Sequence, residues 1–186
     1  AQDQPLQHGS KDPQKMDAQQ VKSHLLESGC WPFIKQRPYD VVANSQDVPK
    51  SIFVSTYASA PLAADFEFTL KDRLEAFQVG IYALGKLTKG KVHVGVNGKV
   101  NSIFSNIKGA EIHKVSGPHP AGNVGVQISH IDPINAGERV WVVGAEDVAI
   151  IGELFIKGYY NPTRTLAVVG AEVKAPQYKT ALIGAQ

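Results

Sequence analysis

Apolar positions along the chain alternate between short β-like runs and longer helical stripes. The longest stripe is Leu70, Leu74, Phe77, Ile81, Leu84 and Leu87, whose spacings of four and three put all six side chains on one face of a helix. Thr69 with Asp72 reads as a capping box, and Lys86 and Lys89 ahead of Gly90 supply the usual signals of a helix end. Upstream, Ser51 to Thr56 is a β-rich apolar run that predicts a buried strand, joined to the helix by an extended link through Pro61 to Phe68. Downstream, Lys91 to Val96 alternates Val92, Val94 and Val96 and stops at the turn dipeptide Asn97-Gly98. This β-α-β order implies a parallel strand pair with a right-handed crossover, hence an open sheet with helices on its faces.

The rest of the chain repeats the theme. Asp17 with Gln20 reads as a cap, Val21 and Leu25 lie one turn apart, and Gly29 stops a short helix. The stretch Cys30 to Tyr39 crowds Trp31, Phe33 and Tyr39 with Arg37 and two prolines, and predicts a rigid aromatic loop. Ala110 to Val115 and Arg139 to Val143 read as strands. Asp147 is placed to cap a helix with the apolar face Val148, Ile151, Leu154 and Phe155, ending at Gly158, and Arg164 to Val169 reads as the strand that closes the series. The expected architecture is a Rossmann-like α/β domain over 17–170, an open, mostly parallel sheet flanked by helices. Residues 1–16 read as a polar, poorly packed linker, and 171–186 as an edge strand or a lead-in to a missing C-terminal domain.

Between two of these elements lies Ser116 to Gly125. With Gly117, Pro118, His119, Pro120, Gly122 and Gly125 it is too rich in glycine and proline for an ordinary helix or strand. A shaped loop after a strand stands at the sheet edge where open α/β domains bind ligands, although the same residues also serve as plain turn punctuation.

Composition narrows the function classes. A length of 186 residues suits one domain with tails, and a net charge of +2 without a basic block speaks against nucleic acid or anionic membrane as partner. Cys30 is the sole cysteine, which excludes an intrachain disulfide and a Cys-rich zinc site and makes a reducing, cytoplasmic setting the expectation. The most apolar region, Val140 to Ile156, is interrupted by Glu146, Asp147 and Glu153, so no membrane span is predicted. The polar start at Ala1 shows no signal-peptide pattern and suggests an excised fragment.

The chemical motifs are mostly missing. There is no G-x-G-x-x-G dinucleotide fingerprint, and none of Gly85-Lys86, Gly90-Lys91 or Gly98-Lys99 belongs to a P-loop. There is no G-x-S-x-G element, and Cys30 beside Trp31 reads as a small buried hydrophobe. Three histidines, His113, His119 and His130, lie close in sequence, but no His-x-x-x-His pair occurs and the nearest carboxylate, Asp132, precedes Pro133 in an expected turn. No metal site and no catalytic residue is assigned. Arg37 with Trp31 and Tyr39 offers a stacking surface for a planar ligand such as a quinone ring, or else a packed loop anchoring the first helix to the sheet.

Four sets of residues carry a resemblance. Glu27 to Trp31 with Arg37 to Tyr39, Ile52 to Ser55 with Pro61 to Ala64, Gly117 to Gly122, and Asp147-Val148 with Gly152 to Phe155 occur in an order and spacing similar to the A subunit of the bacterial sodium-translocating NADH:quinone oxidoreductase. The likeness runs from about residue 17 onward and marks the chain as resembling the middle domain of that protein. It implies a peripheral component on the cytoplasmic face of the bacterial inner membrane, within a six-subunit complex that passes electrons from NADH to ubiquinone or menaquinone and exports Na⁺. NAD, FAD or FMN and the Fe-S centres would belong to partner subunits, with no cofactor held here. By the same resemblance Trp31, Arg37, Pro38 and Tyr39 carry quinone contact. One departure is local: Val126-Gln127-Ile128-Ser129 stands where better-known members have Thr-His-x-His. The rival readings are a purely structural scaffold with a decayed nucleotide site and a domain that binds flavin or nicotinamide through a non-standard loop. The first reading also expects quinone to alter Trp31 fluorescence more than that of Trp141.

Overall fold

The computed structural model describes residues 4–185. Helix α1 (Ala18–Glu27) starts at the Asp17 cap, whose carboxylate accepts from the Gln20 amide while the Gln20 side chain accepts from the Asp17 amide, the reciprocal box expected from the sequence. Strands β1 (Ile34–Arg37), β2 (Val41–Val42) and β3 (Ser51–Ser55) follow, then a single turn α2 (Phe66–Thr69) and helix α3 (Leu74–Gly85). Strands β4 (Val92–Asn97) and β5 (Glu111–Val115), helix α4 (Val124–Ile131), strand β6 (Val140–Val143) and helix α5 (Ala145–Lys157) complete the α/β body, and β7 (Thr163–Val168) with β8 (Gln177–Leu182) ends the chain.

The main sheet has six strands in the order β2-β1-β6-β3-β4-β5. Strands β6, β3, β4 and β5 run parallel, and β1 joins β6 antiparallel, pairing Ile34 with Val143 and Arg37 with Val140. The alternation of side chains sorts the core into two layers. Ile52, Val54, Val92, Val94, Trp141 and Val143 pack against Leu25 of α1, Phe77 and Leu84 of α3, and Ile151 and Leu154 of α5. On the other face Phe53 and Val140 meet Ile128 of α4 in a smaller cluster. This is the open, mostly parallel sheet with flanking helices that the periodicity implies.

Several local expectations are corrected. The stretch 34–37 is a strand and not part of a loop, because its backbone finds β6 as a partner and Trp141 donates to the Gln36 side chain at 3.2 Å. The link before α3 is partly helical, and α3 begins at Leu74 without the Thr69–Asp72 box. Buried Leu70 breaks the helical backbone, and Arg73 turns its guanidinium onto Glu146 and Glu153 of α5 at 2.8 and 2.9 Å. Gly144, not Asp147, stands at the N-cap of α5, while the Asp147 carboxylate pairs with Arg164. Residues 164–168 do not close the main sheet; they lie in a separate antiparallel hairpin with β8. Of the polar stretch 1–16, residues 1–3 lie outside the described residues, and the part from His8 is docked: Pro13 is buried, and the His8 and Lys11 amides donate to the carbonyls of Gly158 and Phe155 at 2.6 and 2.9 Å.

Candidate functional site

The connectivity creates one crevice. From β3 the chain crosses outward through α3 to β4 and β5, then returns through α4 to β6 on the opposite side of β3. The carboxyl ends of β3 and β6 therefore form a switch point, the place where open α/β sheets leave room for ligands. A depression of about 560 Å³ lies there, lined by Arg37, Ser55 and Phe66, by Gly122 to Val126, and by Val142 to Ala145. The first residues of α4 and α5 both contribute to its wall, and neither helix has a side-chain cap on its orphan amides.

The glycine- and proline-rich loop is fixed to the segment that follows β3. Ser59 Oγ accepts from the Gly122 amide at 2.7 Å, Ser55 Oγ donates to the Gly122 carbonyl at 3.0 Å, and Tyr57 donates to the Gly117 carbonyl at 3.2 Å. Gly117 has φ of 144°, a region that disfavours side chains. Gly122 is required for a different reason: a Cβ there would stand 2.5 Å from both the Ser59 nitrogen and the Tyr57 carbonyl oxygen. The loop ends sooner than expected, since Gly125 already lies within α4. His119 is exposed and contacts Ser59 Oγ at 3.2 Å, so it stands apart from His113 and His130, which border a second cavity between β5 and α4.

The residues Arg37, Pro38 and Tyr39 form a ridge between two depressions. Arg37 faces the switch-point crevice, with its Nε 3.5 Å from the Asp40 carboxylate. Pro38 and Tyr39 border a further hollow of about 460 Å³ completed by Gln36 and by Ile134 to Arg139. Tyr39 is 82% exposed and free to meet a ligand. Trp31 is elsewhere: it is 4% exposed, its indole donates to the Ala43 carbonyl at 2.7 Å, and it packs edge-to-face on Trp141 at 5.5 Å. A molecule resting on the ridge would touch Tyr39 and not Trp31. Cys30 is fully buried, and burial pushes its thiol up to about 11, so it is inert at neutral pH.

Pattern reading missed two groups. His93 sits on β4 between valines of the expected strand, and Glu111 begins β5; the parallel register places them side by side, with His113 next along. Burial, and then the neighbouring His113, hold the His93 imidazole below its ordinary pKa, while its hydrogen bond from Lys91 holds Glu111 low. The available signal was the two-residue spacing of Glu111 and His113 on one face of a strand; the partnership with His93 needed the sheet.

The fold and crevice together define a Rossmann-like α/β domain that lacks the phosphate-binding glycines: the connection 56–65 after β3 contains none. Residues 16–160 match the family model described as the NqrA second alpha/beta domain, and the chain belongs to that family. Similar proteins include the A subunit of the Na(+)-translocating NADH-quinone reductase of Histophilus somni (strain 2336), 35% identical over 179 residues, and that of Neisseria gonorrhoeae (strain NCCP11945), 34% identical over 172. These alignments cover 96% and 92% of this chain but 40% and 38% of the relatives. The corresponding protein of Saccharophagus degradans is 37% identical over 169 residues, 91% of this chain and 38% of its own length. The chain thus spans about two fifths of the curated relatives it matches. No helix among the described residues is long and apolar enough to cross a membrane.

Proposed function

We propose that this chain acts within a sodium-translocating NADH-quinone reductase as a cofactor-free α/β domain that offers a quinone-side contact surface and docks against the other subunits of a six-subunit complex on the cytoplasmic face of the membrane. The observation that carries the reading is the Arg37-Pro38-Tyr39 ridge, an exposed aromatic and a guanidinium set between two ligand-sized hollows. A quinone headgroup is planar and apolar on its faces, and its carbonyl oxygens only accept hydrogen bonds. Tyr39 supplies a ring for stacking, and Arg37, whose Nε faces Asp40, supplies the guanidinium as a donor group beside the crevice. The uncapped amides at the starts of α4 and α5 add donors and a positive field on the Arg37 side. Trp31 sits in the core, held by the Ala43 carbonyl and packed on Trp141, and contributes through packing. Electron transfer would be the work of centres in partner subunits; this domain's part is to bind and orient.

The test is equilibrium binding of a soluble short-chain quinone, followed by calorimetry because both tryptophans lie in the core. Arg37→Ala and Tyr39→Ala should each weaken binding by roughly tenfold, the worth of one good contact, while melting temperatures stay near that of the parent. A parent chain that binds no quinone, or variants that bind as well as the parent, would leave the domain as a scaffold. The buried Trp31, satisfied by Ala43, is the observation that favours that second reading.

A further inference from the structure

The face of the sheet beneath α4 carries a group of three side chains that the proposed function does not use. His93, Glu111 and His113 bring one ligand-type atom each to within 4.8 Å of one another. The register accounts for the meeting. His93 pairs with Glu111, and Gly95 pairs with His113, so the position beside His113 on β4 has no side chain of its own. His113 leans along the sheet until its Nε2 lies 2.9 Å from His93 Nδ1. Glu111 Oε2 lies 3.5 Å from the same Nδ1, while Oε1 is held by the Lys91 ammonium.

Each feature of this group suits a metal ion. His93 is 5% exposed, and its ring stacks on Phe53 at 4.6 Å and 30°, which fixes the direction of Nδ1. Around a tetrahedral ion with bonds of about 2.0–2.1 Å, neighbouring donor atoms stand about 3.3 Å apart. The separations of 2.9 and 3.5 Å from His93 Nδ1 bracket that value, and the three residues' donor atoms lie within 4.8 Å of one another, so rotation of the less buried His113 and Glu111 side chains would seat the ion. Lys91 keeps one carboxylate oxygen and leaves the other turned toward the imidazoles, the role of an outer partner that orients a ligating carboxylate. His113 also borders the cavity of about 560 Å³ shared with Gln127 and His130, so the site has an entry path.

We propose that His93 Nδ1, Glu111 Oε2 and His113 Nε2 form a binding site for a divalent transition-metal ion of the Zn²⁺ class. Two imidazoles and one carboxylate suit Zn²⁺ and its neighbours in the first row better than the hard, oxygen-seeking Mg²⁺ or Ca²⁺. Three protein donors leave a fourth coordination position, which takes water or a donor brought by another molecule. The ion would join the edge strand β5 to β4 by their side chains in addition to the backbone ladder. This inference does not depend on the quinone reading.

The experiment is a competition titration of the chelator-stripped, tag-free 186-residue chain with Zn²⁺ against a chromophoric chelator, with Co²⁺ as a spectroscopic substitute. The parent should bind one equivalent, raise its melting temperature in Zn²⁺, and give the intense visible bands of Co²⁺ in a tetrahedral field. His113→Gln and Glu111→Gln should each weaken Zn²⁺ by roughly 100-fold, the scale expected for loss of a ligand when even outer partners cost 10- to 100-fold. His130→Gln, which changes a histidine bordering the same cavity but outside the triad, should bind as the parent does. Melting of the stripped variants checks that they fold; should His113→Gln fail to fold, Glu111→Gln, altered at a more accessible side chain, decides alone. A parent that does not compete for Zn²⁺, variants that retain parental affinity, or loss of binding in His130→Gln would each overturn the assignment.

Discussion

Replacing His24 with Gln should remove one distinct share of the fold's sensitivity to mild acid, the share carried by a buried imidazole beside a lysine. His24 is 1% exposed, packed on Phe155 at 4.9 Å, and its Nδ1 lies 3.1 Å from the Lys11 ammonium. Lysine has only protons to donate, so the ring accepts at Nδ1 and carries its own proton on Nε2, which is buried without a partner. Charging the ring would place a second cation beside Lys11 in a site closed to water, with the His8 ring 6.2 Å away and only Glu27 acting in its favour. Burial first, and then Lys11 and His8, lower its pKa from 6.5 to about 4. Between those values the unfolded chain binds more protons than the folded one, so stability rises with pH across the window. It is complete above about pH 6.5 and is lost as the pH falls toward 4. The loss is on the order of 1–2 kcal/mol near pH 5.5 and 2–3 kcal/mol near pH 4.5. The assay is urea unfolding of the parent and His24→Gln at both values and near neutrality. Carboxylates titrate in both proteins, so the difference between the two curves isolates the imidazole. Parallel losses in parent and variant would refute the argument, because the buried ring would then not be the group that takes up the proton.

Other substitutions test the packing around the crevice and the ridge. Gly122→Ala should destabilise by about 1–3 kcal/mol, since its methyl would press on the backbone of Tyr57 and Ser59, whereas Gly125→Ala, which meets nothing within 4 Å on α4, should be neutral or stabilising; chemical denaturation separates the two. Arg73→Met leaves Glu146 and Glu153 without their shared cation and should cost about 3–5 kcal/mol by the same measurement. Trp31→Phe leaves the Ala43 carbonyl without its donor and should lower stability by about 1–3 kcal/mol, while Tyr39→Ser, at an 82% exposed position, should leave the melting temperature unchanged.

The long amphipathic helix, the alternating valines of β4 and the Asp17 box were legible because each rests on contacts within a few residues. The first turn of that helix was not. Thr69 and Asp72 make a good capping pattern in the sequence, yet the regular helix begins only after Arg73, which pairs with α5 some seventy to eighty residues on. Strand β1 was hidden for a related reason. Four residues between two prolines read as a loop until β6 supplies the hydrogen-bonding edge, and the same strand then turns Arg37 into the crevice.

By itself the sequence determined the α/β class, the body of the domain and the family resemblance, because periodicity and short motifs are written in neighbouring residues. It also marked the loop from Gly117 to Gly122, whose glycines and prolines suit neither an ordinary helix nor an ordinary strand. Tertiary structure alone decided which of the aromatic loop's side chains are surface and which are core, and that β7 leaves the main sheet for β8. It alone placed His93 against Glu111 and His113. A parallel sheet joins strands through long crossovers, so residues twenty apart in the chain share a hydrogen-bonded register that no local pattern records.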